Sequence, residues 1–454
     1  MGQSVKKISM NIVAGIITAV ICAGLLFLSA LIPQEMIQDN CYESACYFAE
    51  RETYPNLKKG YFFTRQDNFG DCLMTHISWQ IEEEEPVISA LKAPYYTEKS
   101  QGINYNFIKA MEQELAPNTE HARYWNGSMV FLRPLFMWFS ITQIRIVLAV
   151  IFLLEMVVAT VLLSKTVCRG ENFGYDRVAA ICFVLALLLV HAYLAATSVE
   201  CITTFMIMGA VLIRLLHGLK KNIDYQAESL FVVSGVVTCF VDQLTTETIT
   251  YTMPMAIMLL VLYKEGKLTS VKEGLKRIFS NGICWFLGYA GMFAAKWLIN
   301  GIVLGKEIAE GALSYAMVRV GGEVVADAET LGLTMAEQLK GAIWNNLGCL
   351  FLFKNQMTGA QVLFGACVVI IVAALAFYLF RGKEVHQNLF VPLLVLALVP
   401  YVRFLVLSNH AFRHYFFTYR TQIITVFVFL LFVAMDIVPG IKSVVKPESK
   451  KGGR

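Results

Sequence analysis

The stretch IVAGIITAVICAGLLFLSALI, residues 12–32, runs for 21 residues without a charged side chain. A helix that crosses a bilayer needs about 20 mostly apolar residues. This stretch therefore reads as a membrane span. It is too long for a signal-peptide core and lacks a clean small-x-small exit, so it reads as a retained anchor. Similar runs recur near 8–32, 141–164, 178–196, 199–216, 229–246, 247–263, 279–303, 361–380, 389–408 and 421–439. Ten spans are expected, and the fourth to sixth are short or closely spaced.

The composition agrees. Of 454 residues, 57% are hydrophobic and 16% are charged, against about 45–50% and about 25% in soluble domains. Soluble globular, disordered, collagenous and coiled-coil classes are excluded. The net charge of +4 gives no reason to expect nucleic acid.

Orientation follows from Lys and Arg in short loops. With Lys6 and Lys7 in the cytosol, the inside segments carry Lys165, Arg169 and Arg177, then Arg214, Lys220 and Lys221, then the cluster from Lys264 to Arg277. Arg381, Lys383 and the basic tail 441–454 complete that side. The short outside loops hold only Arg413 and Arg420. The expected fold is all-α and polytopic, about ten transmembrane helices with both termini cytosolic, forming one domain over 1–440.

Two long segments, 33–140 and 304–360, then fall outside. Each contains amphipathic stretches. Phe69, Leu73, Ile77 and Ile81 recur every four residues on one helical face, and Glu82–Glu85 with Pro86 ends that helix. Phe107, Ile108, Met111 and Leu115 form a second stripe. Residues 129–139 suit an interfacial segment broken by Pro134. Leu333–Leu347 reads as helical. Cys41, Cys46 and Cys72 lie outside, where two could pair; Cys46 with Cys72 would tie the loop.

The scarce charges mark candidate chemistry. Asp67 and Asp71 stand at i and i+4 if 67–71 is helical; Asp67 is alternatively a helix N-cap. A carboxylate at the interface could act as general base on an acceptor hydroxyl. Arg123, Tyr124 and Trp125 suit a sugar or phosphate site, or an interfacial aromatic belt. Asp242 and Glu247 crowd a turn with Thr245, Thr246 and Thr248, which could bind a sugar or cation, or cap the next helix. His410, Arg413, His414 and Arg420 place cations beside aromatics on the outside, as an anionic lipid phosphate would require. Arg403 and Lys296, inside apolar runs, join them; snorkelling to headgroups is the bland reading. Glu155 is also intramembrane. No Walker loop, dinucleotide fingerprint, HExxH or CxxC pair occurs.

This layout resembles the GT-C superfamily of membrane glycosyltransferases, which includes protein mannosyltransferases, oligosaccharyltransferases and aminoarabinose transferases. The shared features are a cytosolic N-terminus, one helix, a large outer loop with juxtamembrane helices, and a second outer loop after the seventh helix. The stretches Tyr124-Trp125, Leu244-Thr245-Thr246 and His410 to Arg420 are similar to those of a bacterial branch of polytopic proteins. The resemblance implies transfer of a sugar from a polyprenyl-phosphate donor to a glycan, lipid or protein acceptor of the cell envelope. It implies an acidic residue of the first outer loop as base, which by position is Asp67 or Asp71. It also implies residence in a bacterial inner membrane among membrane lipids. Better-known members carry an Asp-Glu or Asp-x-Asp pair close after the first helix; here the aspartates are four apart and begin well beyond Ile32. Arg403, Arg413, His414 and Arg420 would hold the lipid phosphate and stabilise its charge as it leaves. No cofactor or metal is required, and a divalent cation is left open. A transporter or lipid flippase, using Glu155, and a non-catalytic envelope scaffold are the rival readings.

Overall fold

A computed structural model describes residues 2–166, 175–223, 225–307, 310–311, 333–351 and 386–437. The described chain is all-α apart from one two-residue antiparallel ladder, Pro94–Tyr95 with Thr119–Glu120. Among the described residues, six helices are long and apolar enough to cross a membrane. They contain Lys6–Ala30, Ile141–Thr166, Val199–Lys221, Val271–Val303, Gln387–Val406 and Tyr415–Met435. Three expected spans are shorter helices, Arg177–Leu189, Glu228–Val241 and Ile249–Lys264. The expected span 361–380 and the tail 441–454 lie outside the described residues.

Helices are numbered here as α1 (Gly2–Ala30), α2 (Gln38–Ala49), α3 (Asn68–Trp79), α4 (Pro86–Lys92), α5 (Ile103–Glu112) and α6 (Met129–Phe136). Then follow α7 (Ile141–Thr166), α8 (Tyr175–Leu189), α9 (Val199–Lys221), α10 (Glu228–Val241), α11 (Ile249–Lys264) and α12 (Val271–Val303). The third expected run is not continuous. It breaks at His191, whose φ of +53° ends α8 and turns the chain into a short 3-10 segment, Ala192–Thr197.

The helices sort by what they touch. α1 and α12 expose apolar side chains such as Ile16, Val20, Leu287 and Leu298. In lipid, such faces need no cover, because the chain satisfies its backbone within each helix. α11 is the opposite case, with every residue from Ile249 to Leu262 buried. α10 and α12 approach until a Cβ on Gly235 would lie 2.1 Å from the Trp285 carbonyl oxygen, and one on Gly288 2.3 Å from that of Val232. Membrane helices pack by such small-residue contacts, since lipid offers no hydrophobic drive between them.

The segment between α1 and α7 is an ordered cap. Leu73, Ile77 and Ile81 of the four-residue repeat are buried, but Phe69 is exposed and the other sides of α3 are buried too; Phe107, Ile108 and Met111 of α5 are buried. Two further details differ. α3 ends at Trp79, before the glutamate run, and Pro86 opens α4 at its first turn, where a missing N–H is harmless. Pro134 lies inside α6 rather than breaking it. Cys41, Cys46 and Cys72 are all free thiols, so the expected pairing does not form. Cys72 is instead buried beside the Ile103 carbonyl.

Two buried cations fasten this cap. Arg133 donates to the carbonyls of Ser29 (2.9 Å), Ile32 and Ser78, joining the C-terminal ends of α1 and α3. Cations are favoured there because a helix C-terminus presents unpaired carbonyls. Lys296 of α12 donates to the Leu91 carbonyl at 2.8 Å. The helix Met335–Leu350 begins with a Thr334–Glu337 capping box. Its Asn346 accepts from Thr418 (2.7 Å) and donates to the Ala411 carbonyl (3.0 Å), fixing it to the 408–422 turns.

Candidate functional site

The site forms where the start of α3, the start of α9, the 242–248 turn and the 403–420 segment meet beneath the cap. α10 has 14 residues, which rise only about 21 Å at about 1.5 Å each. That is short of a hydrocarbon core of about 30 Å. Irregular backbone at such depth is tolerated only where protein buries it or it lines a cavity. Here both hold.

Asp71 is fully engaged. One carboxylate oxygen accepts from Arg145 Nε at 2.7 Å, and the other from the Val199 N–H at 2.9 Å. Arg145 also donates to Asn68 (3.0 Å) and Tyr47 (3.1 Å). Asp71 thereby ties α3 to α7 and sits at the positive N-terminal end of α9. Burial raises its carboxyl, and the Arg145 charge opposes that.

Asp67 is placed differently. It is the N-cap of α3, accepting from the Gly70 N–H at 2.9 Å through one oxygen. A Cβ built on Gly70 would lie 3.1 Å from both Asp67 Oδ2 and Glu200 Oε2, so the two carboxyl groups flank that glycine. Glu200 Oε1 is buried with no hydrogen-bond partner. Burial first, and then the nearby Asp71 charge, push the Asp67 carboxyl up to about 7, with the Gly70 N–H pulling the other way.

Asp67 lines a cavity of about 10 Å³ with Arg65, Ser198, Cys201, Thr245, Phe416, Phe417 and Arg420 among its walls. That is room for about one water. Arg65 lies over the rings of Phe62 (4.7 Å) and Phe416 (5.4 Å), and its buried Nε has no partner. Arg420 donates to the carbonyls of Phe416 (3.2 Å) and His191 (3.4 Å) and stands over the Tyr419 ring. A carboxylate and two guanidinium groups therefore line one small cavity.

Asp242 folds the neighbouring turn. It accepts from the N–H groups of Leu244 (2.8 Å) and Thr245 (3.0 Å), from the Thr245 hydroxyl and from Thr204 of α9 (3.0 Å). Leu244 is held at a φ of +70°, strained for a branched side chain. Its carbonyl is gripped by Arg403 and by His410 at 2.7 Å, and Arg403 also pairs with Glu247. These residues position Thr245 in the cavity wall.

The remaining expected residues stand elsewhere. His414 stacks on Phe417 (5.2 Å), and Arg413 is half-buried and not among the residues that line the cavity. Trp125 donates to the Met292 carbonyl (2.8 Å), and the Arg123 carbonyl accepts from Trp297 (3.3 Å). Arg123 and Lys296 also lie over the Tyr124 and Trp125 rings. This group clamps the cap onto α12. Arg145, Glu200 and Arg65 are the participants that sequence reasoning left without a role. A charge inside an apolar run was the signal for the first two.

No family model matches the chain, and no curated protein or solved structure was found to be similar to it.

Proposed function

We propose that the protein is a membrane glycosyltransferase of the GT-C kind. It moves a sugar from a polyprenyl-phosphate-linked donor to a cell-envelope acceptor on the outer face of a bacterial inner membrane. The proposal includes about ten crossings with both termini cytosolic. The observation that carries it is the cavity in which Asp67 meets Arg420 and Arg65.

A base and a phosphate-binding cation in one enclosed space suit inverting sugar transfer. The acceptor oxygen forms a bond to the anomeric carbon while the bond from that carbon to the phosphate oxygen breaks. The hydroxyl proton passes to the Asp67 carboxylate, and the departing electron pair stays on the lipid phosphate beside Arg420 and Arg65. The step needs no cofactor. Asp71 serves as a positioning residue, because both its oxygens are already bound. A cavity this small has to open for substrate, and Phe416 and Phe417 are the side chains in the way.

The test is sugar transfer from a polyprenyl-phosphate donor by the full chain in liposomes. Wild-type protein should transfer, and Arg420→Ala should lose on the order of 10²-fold in turnover, as removal of one charge-stabilising donor does. Full turnover in both Asp67→Ala and Arg420→Ala would sink the assignment. A transporter is the second reading, supported by the partly buried Glu155 of α7, whose Oε2 has no hydrogen-bond partner. Proton-coupled uptake that Glu155→Gln abolishes would favour it.

A further inference from the structure

A second site lies at the other end of the bundle. An open groove of about 960 Å³ follows α1 against α10 and α12, from Lys7 to Ala23 on α1 and up to Trp125. From Lys7 to Ala23 the helix rises about 24 Å, most of a hydrocarbon core of about 30 Å. Its walls are apolar and small, with Gly15, Ala19 and Gly291 where bulk would close it. At the Lys7 end it joins a pocket of about 340 Å³ built from charged and polar side chains; Lys7, Glu228 and Ser280 belong to both.

The charges of that pocket do not cancel. Lys7 pairs with Glu228 at 2.5 Å, and Arg277 pairs with Glu273 at 3.0 Å. Lys276 lines the same pocket without a carboxylate partner among the described residues. The pocket thus carries one net positive charge. It also holds an unmet acceptor. Asn281 is buried, its amide donates to the Arg277 carbonyl at 2.9 Å, and its Oδ1 accepts nothing. A buried acceptor without a donor is costly, so an occupant that donates there is favoured.

We propose that this groove and pocket bind one anionic glycerophospholipid with hydroxyl groups on its headgroup, drawn from the leaflet at the Lys7 end. The phosphodiester meets Lys276, a headgroup hydroxyl donates to Asn281 Oδ1, and an acyl chain lies along α1. A choline headgroup offers neither the net charge nor a donor. The site is remote from Asp67 and does not depend on the transfer reaction.

The experiment is native mass spectrometry of the delipidated full-length protein in detergent, with phosphatidylglycerol or phosphatidylcholine added at equal concentration. One phosphatidylglycerol should be retained in preference to phosphatidylcholine. Lys276→Gln should weaken that retention about fivefold, the loss of one lysine's attraction to an anionic headgroup. Gly291→Phe should abolish retention of either lipid, because a side chain there starts in open space and fills the groove. Equal retention of the two lipids would overturn the proposal. So would wild-type retention in Gly291→Phe. Should that variant not fold, unchanged retention in the exposed Lys276→Gln variant overturns it alone.

Discussion

Asp67 and Asp71 stand one helical turn apart at the start of α3, and their surroundings are opposite. Asp71 meets a guanidinium and a helix N-terminus, and every oxygen is used. Asp67 has Glu200 across Gly70 and lines a cavity with Arg65 and Arg420. A carboxylate answered on all sides holds a structure together. One left facing another carboxylate in a dry place is poised to take a proton. On the proposed function, the same residue type, four positions apart, divides between architecture and chemistry.

That contrast can be broken in several ways. The largest effect belongs to Asp67→Asn, which should lower transfer by about 10²–10⁴-fold with the melting temperature nearly unchanged. An equal loss of folded protein would erase the distinction. Asp71→Asn should do the reverse: it leaves the Arg145 charge buried without its partner and should cost about 3–5 kcal/mol of stability in a thermal melt. The smallest change should follow Arg413→Ala, less than about twofold in turnover, since that side chain lies away from the cavity. A loss equal to that of Arg420→Ala would shift the cation assignment back to the whole 413–420 segment.

Much of the architecture was legible in the sequence. Uninterrupted apolar runs such as 12–32 and 141–164 read as long lipid-facing helices, and the stripe of α5 marked buried positions, whereas α3 is buried on nearly every side and Phe69 of its stripe is exposed. The breaks were not legible. His191 and Leu244 adopt positive φ without being glycine, which no local pattern announces. Of the site, Asp67 and Arg420 were visible as charges out of place. Their meeting was not, because it joins positions more than 350 residues apart. The pairing of Asp71 with Arg145 across 74 residues was hidden for the same reason. Pairing partners are a property of how helices pack, and periodicity carries no record of it. Arg123, Trp125 and Lys296 looked like ligand-binding residues because cations beside aromatics serve packing and recognition alike.

The central claim is that Asp67, ionised, accepts the proton. The pH dependence of transfer by the wild-type protein tests it most directly. Burial pushes the Asp67 carboxyl up to about 7, and only its ionised form can act as base. The rate should therefore be low in acid, rise through a midpoint near that value and level off above it. Asp67→Asn should flatten the limb. A rate independent of pH across that range, or the same limb persisting in Asp67→Asn, would contradict the account.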